Sequence, residues 1–203
     1  MNSAALDTAH GSNRDRLIAQ ARRLFAQCGY ADVSVDEVAA AAGLTKGAVY
    51  YQFKDKADLF KAACLAVMDD VARHVDRNGR GLNLPKLALL ANGAGRLFDA
   101  YESEEAHRLL LIDGPAVMGF AEWTAMMEPV GVCLVENAMR HYVDAGLVKP
   151  HQSKILSQLL FGAFIQGALR MATAPDRAAA AREVREGADI ILQAFLKGLT
   201  ANS

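Results

Sequence analysis

The stretch that most restricts the fold is "SVDEVAAAAGLT" at residues 34–45. Ser34, followed three positions on by Glu37, forms a capping box, the reciprocal side-chain and main-chain pairing that starts a helix. Val35, Val38, Ala39 and Ala42 then fall at helical spacing, and Gly43 stops the run. Thr45 supplies a second cap almost at once, for a helix whose inward side is Val49 and Phe53. Two short helices joined by a tight glycine turn make a helix-turn-helix pattern. The piece is too short to be a domain, so its neighbours must complete it.

Those neighbours also read as helices. Ser12 caps a helix over 13–28 with Asp15 at its third position, and Leu17, Ile18, Ala21, Leu24, Phe25 and Cys28 share one face until Gly29. Asp55 caps a fourth helix, about 56–77, carrying Leu59, Phe60, Ala63, Cys64, Val67, Met68 and Val71. It fades in "DRNGRGLNLP" (76–85), the best boundary in the chain. Further helices are predicted over 86–101, 104–112, 121–145, 153–173 and 177–199, broken at "DGPAVMG", "DAGLVKP" and "TAPD", with Pro129 splitting or kinking the third. With 52% hydrophobic residues and five prolines among 203 residues, the composition favours an all-α globular fold. The division expected is a flexible arm at 1–12, a helix-turn-helix head at 13–60, and a helical remainder at 61–203, with helix four linking the last two.

Net charge is −1, so any basic surface must be local. Cys28, Cys64 and Cys133 are odd in number and far apart, which argues against a disulfide framework and fits buried thiols in a reducing cytoplasm. The N-terminus has no basic leader followed by an apolar run, so no signal peptide is expected. "ILSQLLFGAFIQGALRMATA" (155–174) is long enough to span a bilayer, but Ser157, Gln158, Gln166 and Arg170 interrupt it. A helix buried in protein is expected there, with no membrane partner.

On the helix that follows Thr45, the residues Lys46, Gly47, Tyr50, Tyr51 and Lys54 fall on one face opposite Val49 and Phe53. That face is too polar for a core and too aromatic for a plain solvated surface. A helix N-terminus with a glycine, a lysine and tyrosine hydroxyls one turn later offers N–H, ammonium and O–H donors to phosphates. The second helix of a helix-turn-helix is also the one that enters the major groove of DNA.

The segment "SVDEVAAAAGLTKGAVYYQFKDKADLF" (34–60), preceded by "ARRLFAQCGYADVSV", resembles the N-terminal DNA-binding domain of the TetR/AcrR family of bacterial transcriptional regulators. The resemblance rests on the helix cap, the Gly turn, Lys-Gly, Tyr-x-x-Phe and Lys-x-Lys, and covers about residues 14–60. It implies a three-helix head with Thr45, Tyr50, Tyr51 and Lys56 on phosphates, and Lys46 with Gly47 close to phosphate or base edges. Lys54 adds to the local cationic excess, Gln52 is suited to either kind of contact, and Arg14 and Arg16 are either phosphate contacts or solvated charge.

The C-terminal part is expected to dimerise and to respond to a ligand. Apolar residues surround nearly all of the 153–173 helix, which predicts burial on both sides, and Gly162, Ala163, Gly167 and Ala168 admit a close neighbour. With the helix carrying Val184, Ile190, Ile191, Ala194, Phe195 and Leu199, the pair resembles the last two helices of TetR-type regulators, which implies a twofold homodimer. "HRLLLIDGPAVMGFAEWTAMM" (107–127) resembles a Leu-Asp-Gly-Pro segment of some members and contains an Asp-Gly-Pro turn. Met and aromatic clusters of this kind form either core or a drug-sized apolar pocket. For a pocket, the candidate wall is Met118, Phe120, Trp123, Met126, Met127, Phe161, Phe164 and Gln166, with His107 and Arg170 as polar contacts.

These readings amount to a ligand-responsive regulator, by family default a repressor, whose dimer presents two recognition helices about 34–36 Å apart to a palindromic operator in double-stranded DNA. A small, largely apolar effector would release it, and no cofactor is expected. The rival is a helical dimeric adaptor that uses the Tyr50–Tyr51 face on a protein partner. Five scattered histidines, with no HExxH, GxSxG, CxxC, P-loop or GxGxxG, give an enzyme or a metal site little to stand on.

Overall fold

The computed structural model describes residues 3–79 and 89–201, with side chains described for 13–76 and 89–199. Most of the predicted boundary at 76–85, and the start of the 86–101 helix, lie outside the described residues. The elements are α1 (Ser3–Cys28), α2 (Val35–Ala41), α3 (Lys46–Gln52), α4 (Lys56–Gly79), α5 (Leu89–Tyr101), α6 (Glu104–Ala106), a π-helical stretch His107–Asp113, α7 (Gly114–Met118), α8 (Phe120–Asp144), α9 (Pro150–Thr173) and α10 (Arg177–Ala201). No strand occurs among the described residues, and the fold is all-α.

Two compact units divide the chain, Met1–Met68 with Glu104–Trp123, and Asp69–Ser103 with Thr124–Ser203. In the first, α1 buries Leu17, Ala21 and Phe25, one residue per turn, beside Val38 of α2, Val49 of α3 and Leu59 and Phe60 of α4. The Phe60 ring is the hub: its centroid lies 5.2 Å from that of Phe25 and 5.0 Å from that of Tyr30, both at steep angles. Glu104–Trp123 joins this unit through charged hydrogen bonds. Arg22 grips Glu105 with two N–H donors, each at 2.7 Å, and the Tyr30 main-chain N–H donates to Asp113 Oδ2 at 2.8 Å. In the second unit α9 and α10 pack together and against α5, where Phe98 meets Phe164 edge to face at 6.2 Å.

Several elements differ from the sequence expectation. The first helix begins at Ser3, well before the Ser12 cap, because Ala4, Ala5 and Leu6 are good helix formers and nothing breaks the backbone after them. The Asp-Gly-Pro segment is no turn: Gly114 and Pro115 open α7, where a proline loses no hydrogen bond, and Gly119 is where the chain bends. Likewise Pro150 starts α9 three residues ahead of Ser153. Pro129 sits within α8 and leaves it a single helix. Only Cys64 is a buried thiol, pushed up in pKa by burial, while Cys28 and Cys133 are exposed. Finally, α9 is buried on one side only within the chain: Ile155 and Leu159 are exposed. That helix is long and apolar enough to cross a membrane by length and composition.

Candidate functional site

The turn between α2 and α3 is built by local chemistry. The Ser34 hydroxyl accepts from the Glu37 N–H at 3.2 Å while Glu37 Oε2 accepts from the Ser34 N–H and hydroxyl, both at 2.7 Å, completing the capping box. At the other end Gly43 adopts φ +64°, and the N–H groups of Gly43 and Leu44 return to the carbonyls of Ala40 and Ala39 at 3.0 and 2.9 Å. This pattern closes a helix through a left-handed residue, a conformation that glycine adopts without a Cβ clash. Arg16 of α1 donates to the Ala42 carbonyl and so ties the turn to the first helix. Arg14 lies over the Phe53 ring at 5.0 Å. Both arginines thus have partners inside the head.

Thr45 caps α3 by accepting from the Ala48 N–H at 3.2 Å. Val49 and Phe53 turn inward at 1% and 2% exposure, which leaves Tyr50 (49%) and Tyr51 (74%) on the outside. A Cβ at Gly47 would meet only Thr45 Oγ1, in ordinary contact at 3.8 Å. Lys46, at the N-terminus, pairs with Asp36 of α2 at 2.9 Å, and this carboxylate raises its pKa. Gln52, half-buried, ends the helix.

Lys54 does not sit as the helical spacing predicts, and Lys56 has partners within the head. The helix stops at Gln52 because Phe53 is extended, with φ −137° and ψ 136°, so Lys54 is not on the face of α3. Its N–H donates to Asp58 at 3.0 Å as part of the α4 cap, in which Asp55 accepts from the Asp58 N–H at 2.8 Å. Lys56 Nζ donates to the Ala31 carbonyl at 3.3 Å and lies 4.3 Å from the Tyr30 ring centroid. The outward donor set of α3 is therefore Thr45, Lys46, Gly47, Tyr50 and Tyr51.

The structure distributes the other candidate wall residues over both units. His107, Met118, Phe120 and Trp123 belong to the first. Trp123 is 1% exposed and its indole N–H donates to the Leu110 carbonyl at 2.6 Å, while its ring presses on Gly114. Phe120 is exposed beside it. In the second unit Met126, Met127, Phe161 and Phe164 are buried, whereas Gln166 and Arg170 are exposed on α9. Arg170 faces Glu183 at 3.9 Å.

An apolar cavity of about 30 Å³ lies in this second unit. Leu90, Gly93, Ala94 and Leu97 of α5, Gly131, Leu134, Val135 and Ala138 of α8, Val75 of α4 and Phe164 of α9 line it. Phe164 is the one residue shared with the expected wall. The α5 contribution had a signal in the sequence, since Leu90, Ala94 and Leu97 recur at helical spacing. At this volume the cavity holds about one water, well short of the roughly 300 Å³ of a small-molecule site. Among the described residues no group of three His, Cys, Asp or Glu is placed to hold a metal ion.

Comparison with known proteins agrees with both halves. Residues 17–63 match the profile of bacterial regulatory proteins of the tetR family, and residues 88–195 match that of the tetracyclin repressor-like C-terminal domain. The HTH-type transcriptional regulator AcrR of Shigella flexneri is 25% identical over 195 residues, covering 90% of this chain and 89% of that protein. A TetR-family transcriptional regulator from Pectobacterium atrosepticum superposes with a TM-score of 0.81 at 23% identity, over 91% of this chain and 94% of the other. SmeT, the repressor of the Stenotrophomonas maltophilia multidrug efflux pump SmeDEF, gives a TM-score of 0.65 at 20% identity, over 89% of this chain and 89% of the other. A capped, glycine-turned head followed by a matching C-terminal domain places the chain in the tetR family of bacterial regulatory proteins, whose members are DNA-binding regulators of transcription.

Proposed function

We propose that the chain is a cytoplasmic, dimeric repressor that binds a palindromic operator through α3 and leaves it when a small, largely apolar effector binds the C-terminal unit. The observation that carries the reading is the outward donor set of α3. Tyr50 and Tyr51 are large aromatic side chains left in solvent beside a cationic, capped helix start with an unobstructed glycine. That combination suits a phosphate backbone approached closely. Thr45, Tyr50 and Tyr51 take phosphate, Lys46 and Gly47 take phosphate or base edges, and Gln52 touches either. Lys46 reaches DNA by giving up its exposed pair with Asp36, which water and salt already screen.

Dimerisation is supported by the outer faces of the last two helices. Leu159 of α9 is 64% exposed and Ile190 of α10 is 62% exposed, with Ile155 and Ile191 beside them and small residues Gly162, Ala163 and Ala194 between. Covering those side chains with the same face of a second copy removes apolar surface from water. The effector reading is supported by the cavity, whose wall includes Val75 of α4, the helix that follows α3 directly in the chain. A ligand that favours a wider cavity shifts that helix, and the affinity difference between the two states sets the size of the response.

Selection of bound duplexes from a random DNA pool by the purified protein, with Tyr50→Ala beside it, tests the reading. Enrichment of a palindrome that the variant does not recover is the expected result. Failure to enrich any sequence over a range of salt, without added small molecules, would favour a protein-binding adaptor instead.

A further inference from the structure

The apolar cavity has a larger neighbour in the same unit. A groove of about 330 Å³ shares Val75, Gly93, Leu134 and Ala138 with it, so the two adjoin across these four residues. The rest of the groove is lined by Leu89, Asn92 and Arg96 from α5, Asn137 and His141 from α8, and Asp76 from α4, which adds polar groups to an apolar wall.

Arg96 supplies the one guanidinium of this groove, whose lining also includes the Asp76 carboxylate. It is part-buried, one of its N–H groups donates to the Val75 carbonyl at 3.3 Å, and no carboxylate pairs with it among the described residues. Arg185 of the same unit is different: it meets Asp99 at 2.8 Å and Glu102 at 3.0 Å. A guanidinium has five donors, and one bond to a carbonyl anchors the group while leaving most of its donor capacity and all of its charge. Partial burial without a counter-ion favours the arrival of an anion, which a planar fork receives best as a carboxylate. Asp76 on the same wall works against a second negative charge.

We infer that the effector is an amphipathic monocarboxylic acid, with its carboxylate in the groove against Arg96 and its apolar part pressed across the shared wall toward Phe164, where the cavity widens to admit it. This rests on the effector reading above and adds the chemical class to it. Neutral or cationic apolar compounds lack the group that Arg96 recognises.

Calorimetric titration of the full chain with octanoate, octanamide, 4-phenylbutanoate and 4-phenylbutanamide tests it. At least one acid should bind about tenfold or more tighter than its amide, as a charge-assisted hydrogen bond implies. Arg96→Gln should erase the preference without moving the unfolding midpoint; if it does not fold, Arg96→Lys, which keeps the charge and loses the fork, should reduce it. Leu134→Trp fills the shared wall and should abolish binding of acid and amide alike. Equal binding of acid and amide, a preference that survives in Arg96→Gln, or no binding by any of the four overturns the inference. Amide binding that Leu134→Trp abolishes would leave the cavity reading standing while the acid class falls. Binding that persists in Leu134→Trp overturns both.

Discussion

Phe161 lies so close to Gly131 that a Cβ on the glycine would come within 2.0 Å of the ring's Cε2. The ring, 5% exposed, therefore rests on the main chain of α8 where a side chain would otherwise be, beside the cavity that Gly131 helps to line. Gly131→Ala must push the ring away. Overpacking of a core costs about 1–3 kcal/mol, against which the gain of alanine over glycine within a helix is about 0.5–1 kcal/mol. Net destabilisation on the order of 1 kcal/mol is expected in urea unfolding. A variant as stable as the parent would mean that the ring moves freely and that the cavity is soft on this side.

Trp123 acts on the first unit. Its indole N–H is spent on the buried Leu110 carbonyl, so Trp123→Phe removes a donor and leaves that acceptor unsatisfied, at a cost of about 1–3 kcal/mol. Trp123→Ala also opens a cavity and should cost about 3–5 kcal/mol. Chemical unfolding curves of the two variants check the order. Equal stability of the phenylalanine variant and the parent would remove the hydrogen bond from the account.

The capping box has a pH signature. The Ser34 N–H and hydroxyl hold the Glu37 carboxyl below its ordinary range. A carboxylate with a lowered folded-state pKa contributes stability that is complete above its unfolded value, about 4.3, and is lost as pH falls through the folded one. Glu37→Gln should therefore unfold with a shallower dependence on pH on the acid side of that value, and the parent should lose its advantage over the variant there. Thermal midpoints measured across that range decide it; parallel curves would mean that Glu37 does not hold its proton differently on folding. Ser34→Ala, which removes the hydroxyl acceptor of the box, should cost about 1 kcal/mol at neutral pH.

The head was legible because its signals are local. Ser34 to Glu37, Gly43 and Thr45 to Ala48 are contacts within a few residues, and the sequence carries both partners. The elements that were misread depend on partners far along the chain or on the order in which caps compete. Lys54 looked helical by spacing, yet the pull of the Asp55 and Asp58 caps ended α3 at Gln52. For Trp123 the composition left core and ligand wall both open, because nothing in the sequence shows that the Leu110 carbonyl waits for its N–H. The cavity was hardest to read, since apart from Phe164 of α9 its walls are Leu, Val, Ala and Gly from three helices and no residue among those is unusual alone.

Lys46 and Lys56 make opposite predictions for DNA binding. Lys46 is exposed at the start of α3 and held only by an exposed pair to Asp36, so Lys46→Ala should leave stability nearly unchanged. If it meets a phosphate, the slope of log affinity against log salt should become shallower by about 1 for each copy bound. Lys56 is occupied by the Ala31 carbonyl and the Tyr30 ring, so Lys56→Ala should cost stability, on the order of 0.5–1 kcal/mol, and leave the slope nearly unchanged. Salt titrations of operator binding, run with unfolding curves on the same two variants, separate the roles. A shallower slope for Lys56→Ala would show that its ammonium leaves Tyr30 for the DNA, and an unchanged slope for Lys46→Ala would restrict the α3 contacts to its hydroxyls and main-chain donors.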